Sequence, residues 1–325
     1  MVNMTEMRKS NSISYLPVHQ MPTQYREPYI LTGYREPCST CKSCLRSLIR
    51  ASNETLNVWT HFLPIIYFLN RAIQFYSNND SGCFEFQYYP FMPNYIGIIF
   101  YHLASSIAHL FCSMSIKYRH TCFYIDYSGI CIYAMGAGIT YYNLYVLPNA
   151  PTNNYPLSQI AFTTLSFGVS LSVCLVSCIS RHYWRSTGAV IRTGAFAINL
   201  IFNTSPSLWL FWQNQLPSAT HLVRQWSWYV AAITAYVFKI PEKFAPGKFD
   251  VIGHSHQWFH VFLSLGTVEQ INSLEFDVNA CRPKYMPSDA PSFFITIGSM
   301  MLAILLNALI VSICSYKLAR HAKMD

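Results

Sequence analysis

Eight times along this chain a run of mostly apolar residues reaches about 20 positions, the length a helix rising 1.5 Å per residue needs to cross a hydrocarbon core about 30 Å thick. The runs lie near 57–76, 92–115, 123–147, 157–180, 190–212, 222–240, 254–274 and 292–316. A single soluble core has no place for eight such segments. Composition agrees, since 52% of the 325 residues are hydrophobic and only 11% are charged, against about 25% in an ordinary soluble domain. The expected class is therefore all-α, a polytopic membrane helical bundle.

The formal charge of +8 belongs to loops in such a protein rather than to a nucleic-acid face, and no nucleic-acid partner is expected. Of the 22 Lys and Arg, all but Arg71, Arg224, Arg282 and Lys284 fall before the first span, after spans two, four and six, or after span eight. The positive-inside rule then predicts that both termini are cytoplasmic. The first 30 residues contain no apolar stretch of signal-peptide type, so the first span is the expected start of insertion.

Most of the eleven cysteines lie in apolar segments, where Cys112, Cys131, Cys174, Cys178 and Cys314 are expected to pack as small hydrophobes. Cys83 and Cys281 fall in loops assigned to the oxidising side and are candidates for a disulfide. Asn79-Asp80-Ser81 is a glycosylation sequon on that same side, whereas Asn53-Glu54-Thr55 lies on the cytoplasmic side and should stay unmodified. Ahead of the first span, Cys38, Cys41 and Cys44 offer three thiols with no nearby fourth ligand. The alternation of Leu45, Leu48 and Ile49 with Lys42, Arg46 and Arg50 instead predicts a short basic amphipathic helix at the membrane surface.

Three segments carry ionisable groups at matching depth. Ser105 and His109 are four residues apart near the cytoplasmic end of span two, Asp126 opens span three, and His256 and His260 share a face at the start of span seven. Two His on one helix and a third on another leave a tetrahedral Zn²⁺ with an open position for water, and Asp126 is placed to orient or deprotonate that water. The alternative is that these histidines only pack and hydrogen-bond, because sequence does not reveal whether spans two, three and seven touch. His254 falls on a different face and reads as interfacial. His61 reads equally as a polar-cavity residue or as part of an aromatic belt, and His102 has no partner pattern.

In order along the chain stand Asn53-Glu-Thr-Leu-Asn-Val-Trp-Thr-His61, Ser105-x3-His109, Asp126-Tyr-Ser-Gly129, Pro241-Glu-Lys-Phe-Ala-Pro-Gly-Lys-Phe-Asp250 and Ser255-His-Gln-Trp-Phe-His260. Together these resemble the progestin and adipoQ receptor family over residues from about 30 to 275. The resemblance implies a seven-helix core with an intramembrane zinc site: His109, His256 and His260 as ligands, Asp126 holding the zinc-bound water, Ser105 nearby. An eighth C-terminal span and the Gly253-His-Ser-His-Gln257 form are more like the membrane progestin receptor branch than the adiponectin receptors. Residues 1–56 are then an N-terminal arm, 57–274 the seven-helix core, and 275–325 an external loop, eighth span and short tail.

The resemblance implies a plasma-membrane receptor for progestin-type steroids reached from the membrane lipids, with rapid signalling through G proteins. A second expectation is an intramembrane zinc-dependent amidohydrolase acting on ceramide-like lipids, with Asp126 as general base and Ser105 beside it. An adiponectin-receptor-like protein and a scaffold with packed histidines are further readings.

Overall fold

The computed structural model describes residues 15–77, 89–149, 154–184, 187–281 and 292–321. Among these, a short helix α1 (Cys41–Arg46) precedes eight long ones: α2 (Thr55–Ser77), α3 (Met92–Phe111), α4 (Ile116–Tyr141), α5 (Gln159–Tyr183), α6 (Gly188–Trp212), α7 (Ala219–Phe238), α8 (Ser255–Cys281) and α9 (Ser299–His321). The eight correspond one for one to the apolar runs of the sequence, and the fold is the expected all-α membrane bundle. By length and apolar composition alone, α4 with its extension to Val146, α5, and the segment Phe294–Arg320 qualify as spans.

Two boundaries differ from the hydropathy reading for identifiable reasons. The third span starts at Ile116 rather than near 123, because Ser115 caps it by accepting a hydrogen bond from Tyr118 N at 3.2 Å. Its polar first turn is also used, with buried Arg119 paired to Glu27 at 3.0 Å. The seventh span continues past 274 to Cys281, since its polar end finds partners: Arg71 Nη2 meets Glu275 Oε2 at 2.5 Å, and Tyr145 donates to Asp277 at 2.7 Å.

Helix α4 is the centre of the bundle, packed against α3, α5, α6 and α9. Its contact with α3 is close because Gly97 faces it: a Cβ at Gly97 would lie 2.8 Å from the Tyr133 Cα. Helix α2 packs on α3 and on α8, α8 packs on α7, and α9 lies outside this ring against α4 and α5. The seven-helix core and the additional eighth span are thus distinct in the packing. The seam between α6 and α7 is the weakest of the ring.

The N-terminal arm folds over one end of the bundle, hereafter the arm end. Strands β1 (Tyr15–Leu16) and β2 (Tyr34–Arg35) pair antiparallel, around a small cluster of Met21, Tyr25, Ile30 and Tyr34. Asp250, in the loop between α7 and α8, accepts from both the backbone N and the hydroxyl of Thr32 at 2.7 Å. Glu242 in the same loop accepts from Ser255 N at 2.7 Å and from the Ser255 hydroxyl, a carboxylate placed where the α8 amides are unpaired. The expected short basic helix is present as α1 and the turn after it, with Leu45 and Ile49 exposed and Cys44 buried.

Candidate metal centre

Helices α3 and α8 both pack on α2, and their imidazoles meet at the arm end. His109 near the end of α3 and His256 on the first turn of α8 bring Nε2 to within 3.2 Å of Nε2. His260 follows one turn on, its ring 4.3 Å from that of His256 and 5.0 Å from that of His109. One ring nitrogen of each of the three lies within 4.8 Å of the others, the only such grouping of His, Cys, Asp or Glu found among the described residues. Ligands about 2.0–2.1 Å from a tetrahedral zinc are themselves about 3.3 Å apart, close to the observed Nε2 separation.

The second nitrogen of two of these rings is fixed by the protein. His109 Nδ1 lies 2.8 Å from Glu54 Oε2, and His260 Nδ1 lies 3.1 Å from the Thr60 hydroxyl. Such contacts leave Nε2 free to coordinate and orient the ring, as carboxylates and hydroxyls do around metal-bound histidines. Burial alone would raise the Glu54 carboxyl, but His109, with Arg35 and Arg119 behind it, holds it well below the usual carboxylate range. Buried Arg35 in turn donates to the His109 and Leu110 carbonyls at 2.6 and 2.7 Å, closing the C-terminal end of α3 with a cation.

Asp126 and Ser105 stand beside the three histidines. Both are buried, on the closely packed helices α3 and α4. One oxygen of the Asp126 carboxylate, Oδ1, is buried and has no hydrogen-bond partner. An orphaned buried acceptor is costly, and a water molecule in front of the histidines would satisfy it. The donor set of three neutral nitrogens with a carboxylate alongside therefore fits Zn²⁺.

Three histidines are used differently from the sequence reading. His254 is buried rather than interfacial, and its Nε2 donates to the Asn53 carbonyl at 3.0 Å, tying the arm to the start of α8. His102 does have a partner: its Nδ1 lies 2.8 Å from Nδ1 of His61, whose ring stands 4.2 Å from that of His260. Of the two readings of His61, the interior one is observed. Cys38 and Cys41 are exposed while Cys44 is buried, so those thiols form no ligand group. Cys112, Cys131, Cys174 and Cys178 are buried in one apolar cluster with Cys314 at its edge. Asn79 and Cys83 lie outside the described residues, as does the side chain of Cys281.

A cavity of about 500 Å³ opens in front of the histidines. Glu54, His109, Asp126 and His256 line one part of it, and aromatic and aliphatic side chains such as Tyr101, Tyr133, Phe196, Leu200, Ile233 and Leu263 line the rest. The arm contributes Glu27, Pro28, Ile30 and Asn53. Sequence reasoning missed Glu54, Thr60 and Arg35 as parts of the site.

The family model for haemolysin-III-related proteins matches residues 49–271, which include every side chain of the centre except Arg35. The chain is 34% identical to membrane progestin receptor gamma-B of Danio rerio, over 93% of this chain and 92% of that protein. It is 33% identical to membrane progestin receptor delta of Homo sapiens, over 94% and 91%, and 27% identical to human membrane progestin receptor beta, over 85% and 79%. The chain is thus an integral membrane protein of the haemolysin-III-related family, the progestin and adipoQ receptor family that its motifs resemble.

Proposed function

We propose that this protein is a membrane receptor for progestin-type steroids, with Zn²⁺ held by His109, His256 and His260. The observation that carries the reading is the cavity of about 500 Å³, whose aromatic and aliphatic wall meets polar and charged groups at the arm end. Small-molecule sites of about 300–1,000 Å³ share that character. The relatives' names point to the same ligand class. In this reading the metal ties α3 to α8, two helices that otherwise meet through α2, and a ligand in the cavity shifts the population of helix arrangements that the histidines permit.

The plasma membrane, with the arm end facing the cytoplasm, is the proposed setting, and G proteins are the proposed effectors at that face. The test is radiolabelled progesterone on purified protein in detergent or nanodiscs. Saturable binding displaced by related steroids is expected, while partitioning that never saturates contradicts the receptor reading.

The Asp126–Ser105 pair supports a second reading, hydrolysis of a ceramide-like lipid amide. A zinc ion, when bound, would supply a Lewis acid able to polarise the amide carbonyl. In this reading Asp126 Oδ1 takes a proton from water and returns it to the departing nitrogen. Ser105, four residues before His109 on α3, assists Asp126 in this reading as a polar neighbour, and aromatic side chains form much of the cavity wall. Lipid-amide turnover by the native protein and its loss in Asp126→Asn is the outcome expected on this second reading, and turnover that survives the substitution contradicts it.

A further inference from the structure

Three cations line one wall of the cavity, and none of them forms an ion pair with the cavity's carboxylates. Arg181 stands near the end of α5, Arg192 on the first turns of α6 and Lys239 just after α7, all at the arm end. The Arg181 guanidinium carbon lies 3.9 Å from the Phe123 ring centroid, and Nη1 donates to the Tyr127 hydroxyl at 2.8 Å. Arg192 lies 5.6 Å from the Tyr127 ring centroid, and its Nη1 donates to the Ser180 hydroxyl at 3.5 Å. Lys239 Nζ lies 4.3 Å from the Tyr236 ring centroid. Tyr127 therefore faces both Arg181 and Arg192, and Tyr236 faces Lys239.

None of the three is in an ion pair among the described residues, and Arg181 Nε is buried with no acceptor. Of the cavity's carboxylates, Glu27 pairs with Arg119 at 3.0 Å, Glu54 lies 2.8 Å from His109 and Glu242 accepts from Ser255, which leaves Asp126 as the one nearby negative charge that Arg181 faces without forming an ion pair. Grouped, half-buried cations repel one another, so three of them with a single nearby carboxylate left over are suited to receive an anion. An uncharged steroid does not supply it.

We propose that Arg181, Arg192 and Lys239 form a head-group subsite for a phosphate monoester carried on an apolar chain, which enters through the seam between α6 and α7. A phosphate monoester has about −1.5 to −2 charge and three strong acceptor oxygens, enough for three cations, whereas a carboxylate has two oxygens and one charge. Arginine suits such an oxyanion because its planar donors bond it in pairs. Both walls of the seam contribute to the cavity, yet α6 and α7 make little contact with each other. Further along the seam lies an apolar crevice of about 530 Å³, lined by Leu208, Phe211, Leu222, Val223, Trp226 and Val230. A chain anchored at the cations has apolar surface to follow along this seam.

The subsite uses none of the zinc ligands, so it stands or falls apart from the metal. Native mass spectrometry of the full-length protein with dodecyl phosphate, dodecanol and inorganic phosphate provides the test. Dodecyl phosphate should bind saturably, with dodecanol and inorganic phosphate each weaker by about tenfold or more, the loss expected for charge-assisted bonds on one hand and chain burial on the other. Arg181→Gln combined with Arg192→Gln should weaken dodecyl phosphate by a similar factor, and the Lys pair at these positions should restore part of it. Should the double variant lose its helicity, Lys239→Gln decides, because Lys239 lies beyond the packed length of α7. His260→Ala should leave dodecyl phosphate binding intact. Unchanged affinity in the Gln variants, or dodecanol binding as tightly as its phosphate, overturns the proposal. Inorganic phosphate binding as tightly as dodecyl phosphate overturns the assignment to an amphiphile.

Discussion

Glu54 touches no other candidate ligand than His109, yet it decides which nitrogen of that ring is available. Replacing it with Gln keeps the shape and removes the charge that holds the Nδ1 proton. Loss of such a partner typically lowers metal affinity by about 10–100-fold, so Glu54→Gln should weaken zinc in a chelator competition by that factor while helicity is retained. Asp126→Asn should leave the zinc content near that of the native protein, because the three nitrogen ligands are untouched. Spacing of four along a helix made Ser105 with His109, and His256 with His260, legible as pairs in the sequence. Glu54 was not legible as a site residue because it meets His109 across 55 positions of chain, and no periodicity spans that distance. The same holds for His61 and His102, which meet across 41.

Between α3 and α4 the close approach at Gly97 leaves no room for a side chain. A methyl there meets the Tyr133 backbone rather than a flexible side chain. Overpacking of this kind costs about 1–3 kcal/mol, and Gly97→Ala should lower the thermal midpoint of the purified protein, with Gly97→Leu lowering it further. Arg35 poses the complementary case at the end of α3: Arg35→Met removes donors to two carbonyls and leaves those acceptors buried, a loss of about 1–3 kcal/mol for each unsatisfied group. The helices themselves were legible from apolar run length. Their ends were less so, because Ser115, Glu242 and the partners of Glu275 and Asp277 set the boundaries, and hydropathy does not register caps or distant ion pairs. The arm was legible as a basic surface helix but not as the floor of a cavity, since its contacts with the loop before α8 run through Thr32, Asn53 and Asp250.

The bundle as a whole places the three clustered histidines, Asp126 and the cavity cations at one end, under the arm. The proposed orientation puts that end in the cytoplasm, and glycan mapping tests it: Asn79 should be modified and Asn53 should not, whereas glycan at Asn53 would invert the topology. Asn53 is also buried in the fold, with its backbone N bonded to the Gly33 carbonyl at 3.0 Å. The most direct test of the account is zinc content per chain in detergent-purified protein, with His260→Ala prepared alongside. The account predicts about one zinc per native chain, as three nitrogens around a single open site require, and much less in the variant. A native protein that is helical, thermally stable and free of metal after purification in zinc-supplemented buffer would contradict it.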